Sequence, residues 1–306
     1  MTDSPRRFHG IVPPLVTPLS GPDQLDVSGL TRLLEHVIEG GVHGVFVVGT
    51  TGEGPSLSHD LQRQVVSRTR RIVGDRVPVL VGVTDTSCAE SLRLSAHAAD
   101  VGADAIVLAP PYYFPAGQTE LTQYVRRLVD RVELPVMLYN MPSLTKVTFD
   151  LDTLRQLADA DNIVGVKDSG GDLAYYERLI GLREQRPDWS ILIGPEHLLP
   201  ESLALGGDGG VHGGANVFPR LFVRLYDAAI AGRTDEVDAL QAEVAKLQGI
   251  YEIGKYASKY IKATKSAAAC RGLCRADLAE PFNGFAPPEQ ARVQAVLDTL
   301  DQSLVN

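Results

Sequence analysis

Cysteine is scarce in this 306-residue chain, limited to Cys88, Cys270 and Cys274, and no histidine stands at zinc-finger spacing from any of them. Neither a paired disulfide framework nor a cysteine-based metal site is expected. Cys270 and Cys274, four apart in an alanine-rich stretch, read as two thiols on one helix face. No apolar run approaches the roughly 18 residues of a membrane span. The two arginines of the stretch Met1–Gly10 have no apolar segment behind them, and the chain is read as a reduced, cytoplasmic protein. Positive charge is in deficit, with 29 Lys and Arg against 38 Asp and Glu and a net charge of −9. That balance argues against nucleic acid or an anionic membrane as partner and leaves a small metabolite. His-Glu-x-x-His is absent and the seven histidines are scattered, so no metal centre is expected and metal-dependent aldol chemistry has no visible anchor. Lysine itself is almost missing from the first 230 residues, where only Lys146 and Lys167 occur.

Against these absences stands a regular alternation. Short β-branched runs alternate with longer amphipathic segments, the pattern of βα units around a parallel sheet. Eight strands are expected at Ile11–Thr17, Gly44–Gly49, Val79–Val83, Ala105–Ala109, Val136–Tyr139, Ile163–Lys167, Ile191–Gly194 and Gly209–His212. Eight units in about 230 residues predict an α/β fold, a (β/α)8 TIM barrel whose reactive groups lie at the C-terminal ends of its strands. After Gly232 the strand signal stops, and helices are expected at Asp235–Gln248, Tyr251–Ala269 and Pro288–Leu304. The domain reading is a catalytic barrel over residues 1–232 and a C-terminal three-helix domain over 233–306. On the middle helix Lys255, Lys259 and Lys262 share one side at helical spacing, a solvated face.

Lys167 ends the apolar run Asn162-Ile163-Val164-Gly165-Val166. An amine there is partly desolvated, which disfavours the ammonium and leaves a nucleophile able to form a Schiff base with a ketone. The strand register puts Tyr139 at the end of strand five and Thr50-Thr51 just past strand two, facing the same mouth. A phenol beside an amine nucleophile can ferry the protons of carbinolamine formation and dehydration. Gly49-Thr50-Thr51-Gly52-Glu53-Gly54 offers close backbone approach, N–H groups for a carboxylate and two hydroxyls, though glycine-rich turns also bind phosphate or nothing. Its spacing fits neither the dinucleotide fingerprint nor the P-loop.

Two separated blocks carry a resemblance, Gly44-Val45-Phe46-Val47-Val48-Gly49-Thr50-Thr51-Gly52-Glu53-Gly54 and Tyr139-Asn140-Met141-Pro142 through Gly165-Val166-Lys167-Asp168-Ser169. The chain resembles the dihydrodipicolinate synthase and N-acetylneuraminate lyase family of pyruvate-dependent, Schiff-base-forming aldolases, over nearly its whole length. The resemblance implies Lys167 as the amine that attacks a 2-oxo acid, with no separate cofactor. It implies Tyr139 as proton shuttle, Thr50 as its relay, and Thr51 with the Gly49 loop holding the carboxylate. It further implies that Tyr113, in Pro110-Pro111-Tyr112-Tyr113, reaches across a dimer interface. Val211 would stand beside the imine and Gly194 where the distal pocket begins. The assembly implied is a homo-oligomer, commonly a dimer of dimers.

Substrate choice is less decided. Family members that condense pyruvate with aspartate semialdehyde usually carry arginine two residues after the proline of the Tyr-Asn-x-Pro block, where its fork can hold a second carboxylate. Here that residue is Leu144. Lys146 is read as a solvated loop lysine, with substitution for that arginine as the alternative. Glu196, His197 and His212 flank the expected distal pocket and read equally as ligands for sugar hydroxyls or as capping and core-edge residues. The preferred reading is reversible cleavage of a 2-keto-3-deoxy sugar acid, or a related 4-hydroxy-2-oxo acid, to pyruvate and an aldehyde. Dehydratase chemistry on the same Schiff base, dihydrodipicolinate synthesis, and a non-catalytic barrel that binds a 2-oxo acid are the alternatives.

Overall fold

A computed structural model describes residues 8–305; the first seven residues, on which part of the N-terminal reading rests, lie outside them. The sheet comprises β1 Gly10–Ile11, β2 Val45–Val47, β3 Val79–Gly82, β4 Ala105–Leu108, β5 Val136–Asn140, β6 Ile163–Asp168, β7 Ser190–Ile193 and β8 Gly209–Gly210. All neighbours are parallel, in the order β1-β8-β7-β6-β5-β4-β3-β2. Its two ends meet: Phe46 N–H donates to Pro13 O at 3.0 Å and Leu15 N–H to Phe46 O at 2.8 Å. The sheet therefore curls back on itself. Inside it lie Val12, Phe46, Leu80, Val107, Met137, Tyr139, Leu192 and Val211, and a second, larger cluster fills the space between strands and helices. Burial on both faces explains why runs such as Val79-Leu80-Val81 carry no polar alternation.

Several expected elements are shorter than the sequence pattern suggested. The first strand stops at Ile11 because Pro13 and Pro14 lack the N–H that a continuous ladder requires. The chain then makes a small hairpin, Leu19–Gly21 against Gln24–Leu25, which the apolar pattern did not signal. Asp26 opens the following helix, Val27–Glu39, by accepting from Gly29 N–H at 2.9 Å.

The helices after residue 232 are Thr234–Leu247, Lys259–Cys270, Pro287–Leu297 and the short Gln302–Val305. The expected helix Tyr251–Ala269 is broken. A 3-10 turn covers Gln248–Glu252, and regular helix resumes only at Lys259. Lys255 therefore lies outside the helix and the three-lysine stripe does not form. Lys259 pairs with Glu252 and Lys262 with Asn283. Cys270 and Cys274 do not share a helix face either: the helix ends at Cys270, Gly272 turns with φ 71°, and Cys274 is buried while Cys270 is exposed. Leu240, Val244, Ala263 and Ala267 belong to the same apolar cluster as barrel residues Leu33 and Val166.

One buried ion pair joins these helices to the barrel. Lys265 Nζ donates to the Glu53 carboxylate with both side chains inaccessible to water. Removing one partner of such a pair typically costs about 3–5 kcal/mol, because the other charge is left buried and alone.

The loop after β2 is shaped by close approach. Val48 has φ 57° and Glu53 φ 59°, the left-handed region that a β-branched residue rarely adopts. The turn at Val48 brings its carbonyl against Gly54 and Gly82, where any Cβ would collide with it. Gly82→Ala is thus expected to destabilise the protein by about 1–3 kcal/mol, read as a fall in the denaturant midpoint. An unchanged midpoint would contradict this packing.

Candidate active site

Tyr139 and Lys167 are register partners on β5 and β6. Their side chains therefore leave neighbouring strands on the same face, into the barrel. The Lys167 amine lies 3.9 Å from the centre of the Tyr139 ring and 5.1 Å from that of Phe46, and only 4% of the residue is exposed. Burial pulls the amine below the ordinary lysine range, and the Tyr139 phenol opposes that shift only in part. Burial alone would raise the Tyr139 phenol, but the Lys167 charge and hydrogen bonding with Thr50, Ser169 and Lys167 outweigh it and pull it below the ordinary tyrosine range. Each group thus eases proton transfer by the other.

Behind this pair, on the outer face of the same strands, Asn140 Nδ2 donates to Asp168 Oδ1 at 2.7 Å, and these two residues are also register partners. Ser169 N–H donates to Asn140 O at 2.9 Å, and Gly194 N–H to Asp168 O at 2.7 Å. These bonds hold the ends of β5, β6 and β7 together. A Cβ on Gly194 would collide with the Ser169 hydroxyl, so glycine there leaves room for that hydroxyl.

Thr50 and Thr51 are half-buried at the same mouth. Among the described residues their N–H groups donate to no other group, leaving donors for an anion. Gly49 packs against the Phe46 ring with no room for a side chain. Val211 is buried in the barrel interior beside Tyr139, its N–H bound to Ile193 O at 2.8 Å.

Other expected site residues are placed differently. Tyr113 is 84% exposed, with φ 81°, and stacks edge-on with Phe114 at 5.0 Å; it is not part of this chain's Lys167 cluster. Leu144 is 42% exposed in the short helix Pro142–Thr145. Lys146 Nζ donates back to Ser143 O at 2.6 Å, as a solvated loop lysine does. Glu196 is buried, accepting from Gly214 N–H at 2.6 Å and Tyr251 O–H at 3.1 Å, while its Oε2 has no protein partner. Burial raises its carboxyl. His197 is exposed beside Gln248.

His212 is not brought to the mouth. It is 0% exposed, its Nδ1 lies 3.0 Å from Gly194 O, and its ring sits over Gly210 and against Phe222. A substrate cannot touch a group with no accessible surface, so His212 backs the site instead of lining it.

The Dihydrodipicolinate synthetase family profile matches residues 7–300. The chain belongs to this family. It is a carbon–carbon lyase of the dihydrodipicolinate synthetase type, and its relatives divide. A DapA-like lyase of Halobacterium salinarum, described as uncharacterized, is 34% identical over 296 residues, covering 97% of this chain and 95% of its own. The 4-hydroxy-tetrahydrodipicolinate synthase of Phenylobacterium zucineum is 35% identical over 292 residues, covering 95% and 96%. Among solved structures, dihydrodipicolinate synthase from Bacteroides thetaiotaomicron superposes with TM-score 0.93 at 45% identity, covering 97% of this chain and 100% of that one. YagE, a prophage protein of E. coli K12 in complex with pyruvate, superposes with TM-score 0.90 at 30% identity, covering 95% and 98%.

Within this dihydrodipicolinate synthetase fold, sequence reasoning missed Ser169 as a neighbour of the phenol, Tyr251 as the partner of Glu196, and Lys265. Ser169 was readable only as the last residue of the second block that carries the family resemblance; Tyr251 and Lys265 lie on distant segments, with no local signal. Burial also holds His212 at a pKa of about 4, below the ordinary 6.5. Because the folded value is depressed, its stabilising contribution is fully present above about pH 6.5 and is lost as pH falls toward about 4, ~3 kcal/mol in all. His212→Gln, uncharged at either pH, is expected to show a shallower loss of denaturant midpoint between pH 7 and pH 4.5. An acid response as steep as that of the parent protein would contradict this assignment.

Proposed function

We propose that the protein is a Schiff-base-forming, pyruvate-dependent aldolase that reversibly cleaves a 2-keto-3-deoxy sugar acid, or a related 4-hydroxy-2-oxo acid, to pyruvate and an aldehyde. The observation that carries this reading is the buried Lys167 amine 3.9 Å over the Tyr139 ring. In the synthetic direction the uncharged amine adds to the keto carbon of pyruvate. Tyr139 delivers a proton to the departing hydroxyl, and water leaves. The resulting iminium withdraws electrons from the neighbouring carbon, which gives a proton back to the Tyr139 phenolate to form an enamine; the enamine adds to the aldehyde, Tyr139 returns that proton to the new alkoxide, and water hydrolyses the imine to free Lys167. Cleavage runs the same steps backward. The positive nitrogen is the electron sink, so the mechanism requires no metal. The free N–H groups at Thr50 and Thr51 support their assignment to the substrate carboxylate, with Val211 beside the imine and Gly194 opening the distal pocket.

The distal side favours a hydroxylated substrate over a second carboxylate. Leu144 offers no charge and Lys146 is turned onto Ser143, so neither supplies the cation that a second carboxylate would need. Losing a charged partner for a partly buried carboxylate costs several kcal/mol. The second reading, 4-hydroxy-tetrahydrodipicolinate synthase, is favoured by the relatives of that name. Steady-state rates with pyruvate plus aspartate semialdehyde, compared with a panel of keto-deoxy acids, separate the two. The preferred reading predicts the higher kcat/KM on a keto-deoxy acid, and efficient ring-product formation would overturn it.

Borohydride reduction in the presence of pyruvate is expected to add mass at Lys167 in the parent protein and none in Lys167→Ala. Exposed Tyr113 fits a role in a neighbouring copy's relay. If so, mixing inactive Lys167→Ala with impaired Tyr113→Phe regenerates active sites at subunit exchange. A mixture no more active than the sum of its parts would remove Tyr113 from the mechanism.

A further inference from the structure

The loop that carries Thr50 and Thr51 ends on a residue whose side chain belongs to another part of the molecule. Glu53 N–H closes the turn by donating to Thr50 O at 3.0 Å, while the Glu53 side chain runs away from its own loop. It makes no cap to the following turn, Gly54–Ser56. One carboxylate oxygen takes Lys265 Nζ, from the helix Lys259–Cys270, and the other takes Ala279 N–H at 2.8 Å. Lys265 Nζ in turn donates to Asp277 O at 2.6 Å. Both side chains are wholly enclosed, and the pair is 212 residues apart in sequence.

Enclosure of this kind is a poor way to gain stability alone, since well-packed apolar side chains of similar volume serve as well or better. What a carboxylate provides is direction: two donors fixed on two oxygens. Directional restraint matters here because Glu53 sits at φ 59°, a conformation kept by a non-glycine residue only when its surroundings impose it. The same loop must present N–H groups to an anion. An unneutralised Glu53 beside it would repel that anion, and Lys265 supplies the compensating charge.

We propose that Glu53 and Lys265 are positioning residues for the substrate carboxylate, so that the helical segment after the barrel sets affinity for the 2-oxo acid through the Thr50–Thr51 loop. This rests on the reading of that loop as the carboxylate cradle. The pair touches no reacting atom, and its effect is on binding, not on the Schiff-base step.

The test uses the double variant Glu53→Gln/Lys265→Met, which removes both buried charges together and avoids stranding either. Borohydride trapping is followed against concentration of pyruvate and of uncharged methyl pyruvate, alongside thermal unfolding. The expected result is near-parental thermal stability, a half-saturating pyruvate concentration raised about tenfold or more, an unchanged limiting trapping rate, and little change for methyl pyruvate. Recovery of both stability and pyruvate half-saturation to parental values would overturn the proposal, as would an equal shift for both ketones, because a merely structural brace predicts those outcomes. If the double variant does not fold, Glu53→Asp, which keeps both charges while shortening the reach to Lys265 and Ala279, carries the same two-ketone comparison, with the same overturning results. Failure of the parent protein to be trapped at any pyruvate concentration is seen before any variant is made; it removes the Schiff-base reading and this inference with it.

Discussion

A lysine amine held out of water against an aromatic ring is the constraint from which the rest of the site follows. The neighbours of Lys167 restore only part of what burial takes from its ammonium: the Tyr139 phenol and Asp168 oppose the shift without cancelling it, and the ring faces of Phe46 and Tyr139 add a cation–π contact worth far less than hydration. The amine is therefore biased toward the neutral form, which is the nucleophilic one. The phenol at Tyr139 is likewise moved below its ordinary range, by the Lys167 charge and by hydrogen bonds that outweigh its own burial. Two groups that would be inert as separate surface residues become a donor–acceptor pair.

That pair exists because of strand register. Tyr139 faces Lys167 only while β5 and β6 keep their alignment, and a slip of one residue by either strand would turn its side chain to the outer face, away from its partner. The alignment is fixed one residue later by Asn140 and Asp168, with Phe149 N–H donating to Asn140 Oδ1 at 3.0 Å. Burial raises the Asp168 carboxyl, against the hydrogen bonds from Asn140 and Gly170. The interior face thus holds the amine–phenol pair while the exterior face fixes its alignment. The opposite wall of the mouth is shaped by backbone crowding instead: Val48, forced to a positive φ between Gly54 and Gly82, aims the loop inward.

The order of βα units and the convergence of Lys167, Tyr139 and Thr50-Thr51 on one mouth were legible in the sequence, because fully buried parallel strands leave unbroken apolar runs and strand ends share a face. Boundaries were less so where backbone chemistry overrides hydrophobicity. Pro13-Pro14 cut the first strand, and the turn at Gly254 through Ser258 interrupts a stretch whose composition alone suits a helix. His212 looked like a ligand because it follows a strand at the mouth. Side-chain direction decided otherwise, since with Gly210 two residues earlier on the same side its ring folds back over the bare backbone. Lys265 carried no local signal, as it sits among ordinary helix formers and gains its meaning from Glu53, far away in sequence. Tyr113 is left exposed by its own chain, and its assignment to a neighbouring copy's site comes only from the family resemblance.

The central claim concerns the protonation of one amine, and a titration reads it directly. With lysines labelled at the ε-carbon, the resonance missing from Lys167→Ala identifies Lys167, and its chemical shift is followed with pH. Burial against Tyr139 predicts a midpoint below the ordinary lysine value of 10.5, so that the neutral amine appears at lower pH than for the surface lysines. A midpoint at or above that of the exposed lysines would contradict the account, because an amine that keeps its proton cannot capture a keto group.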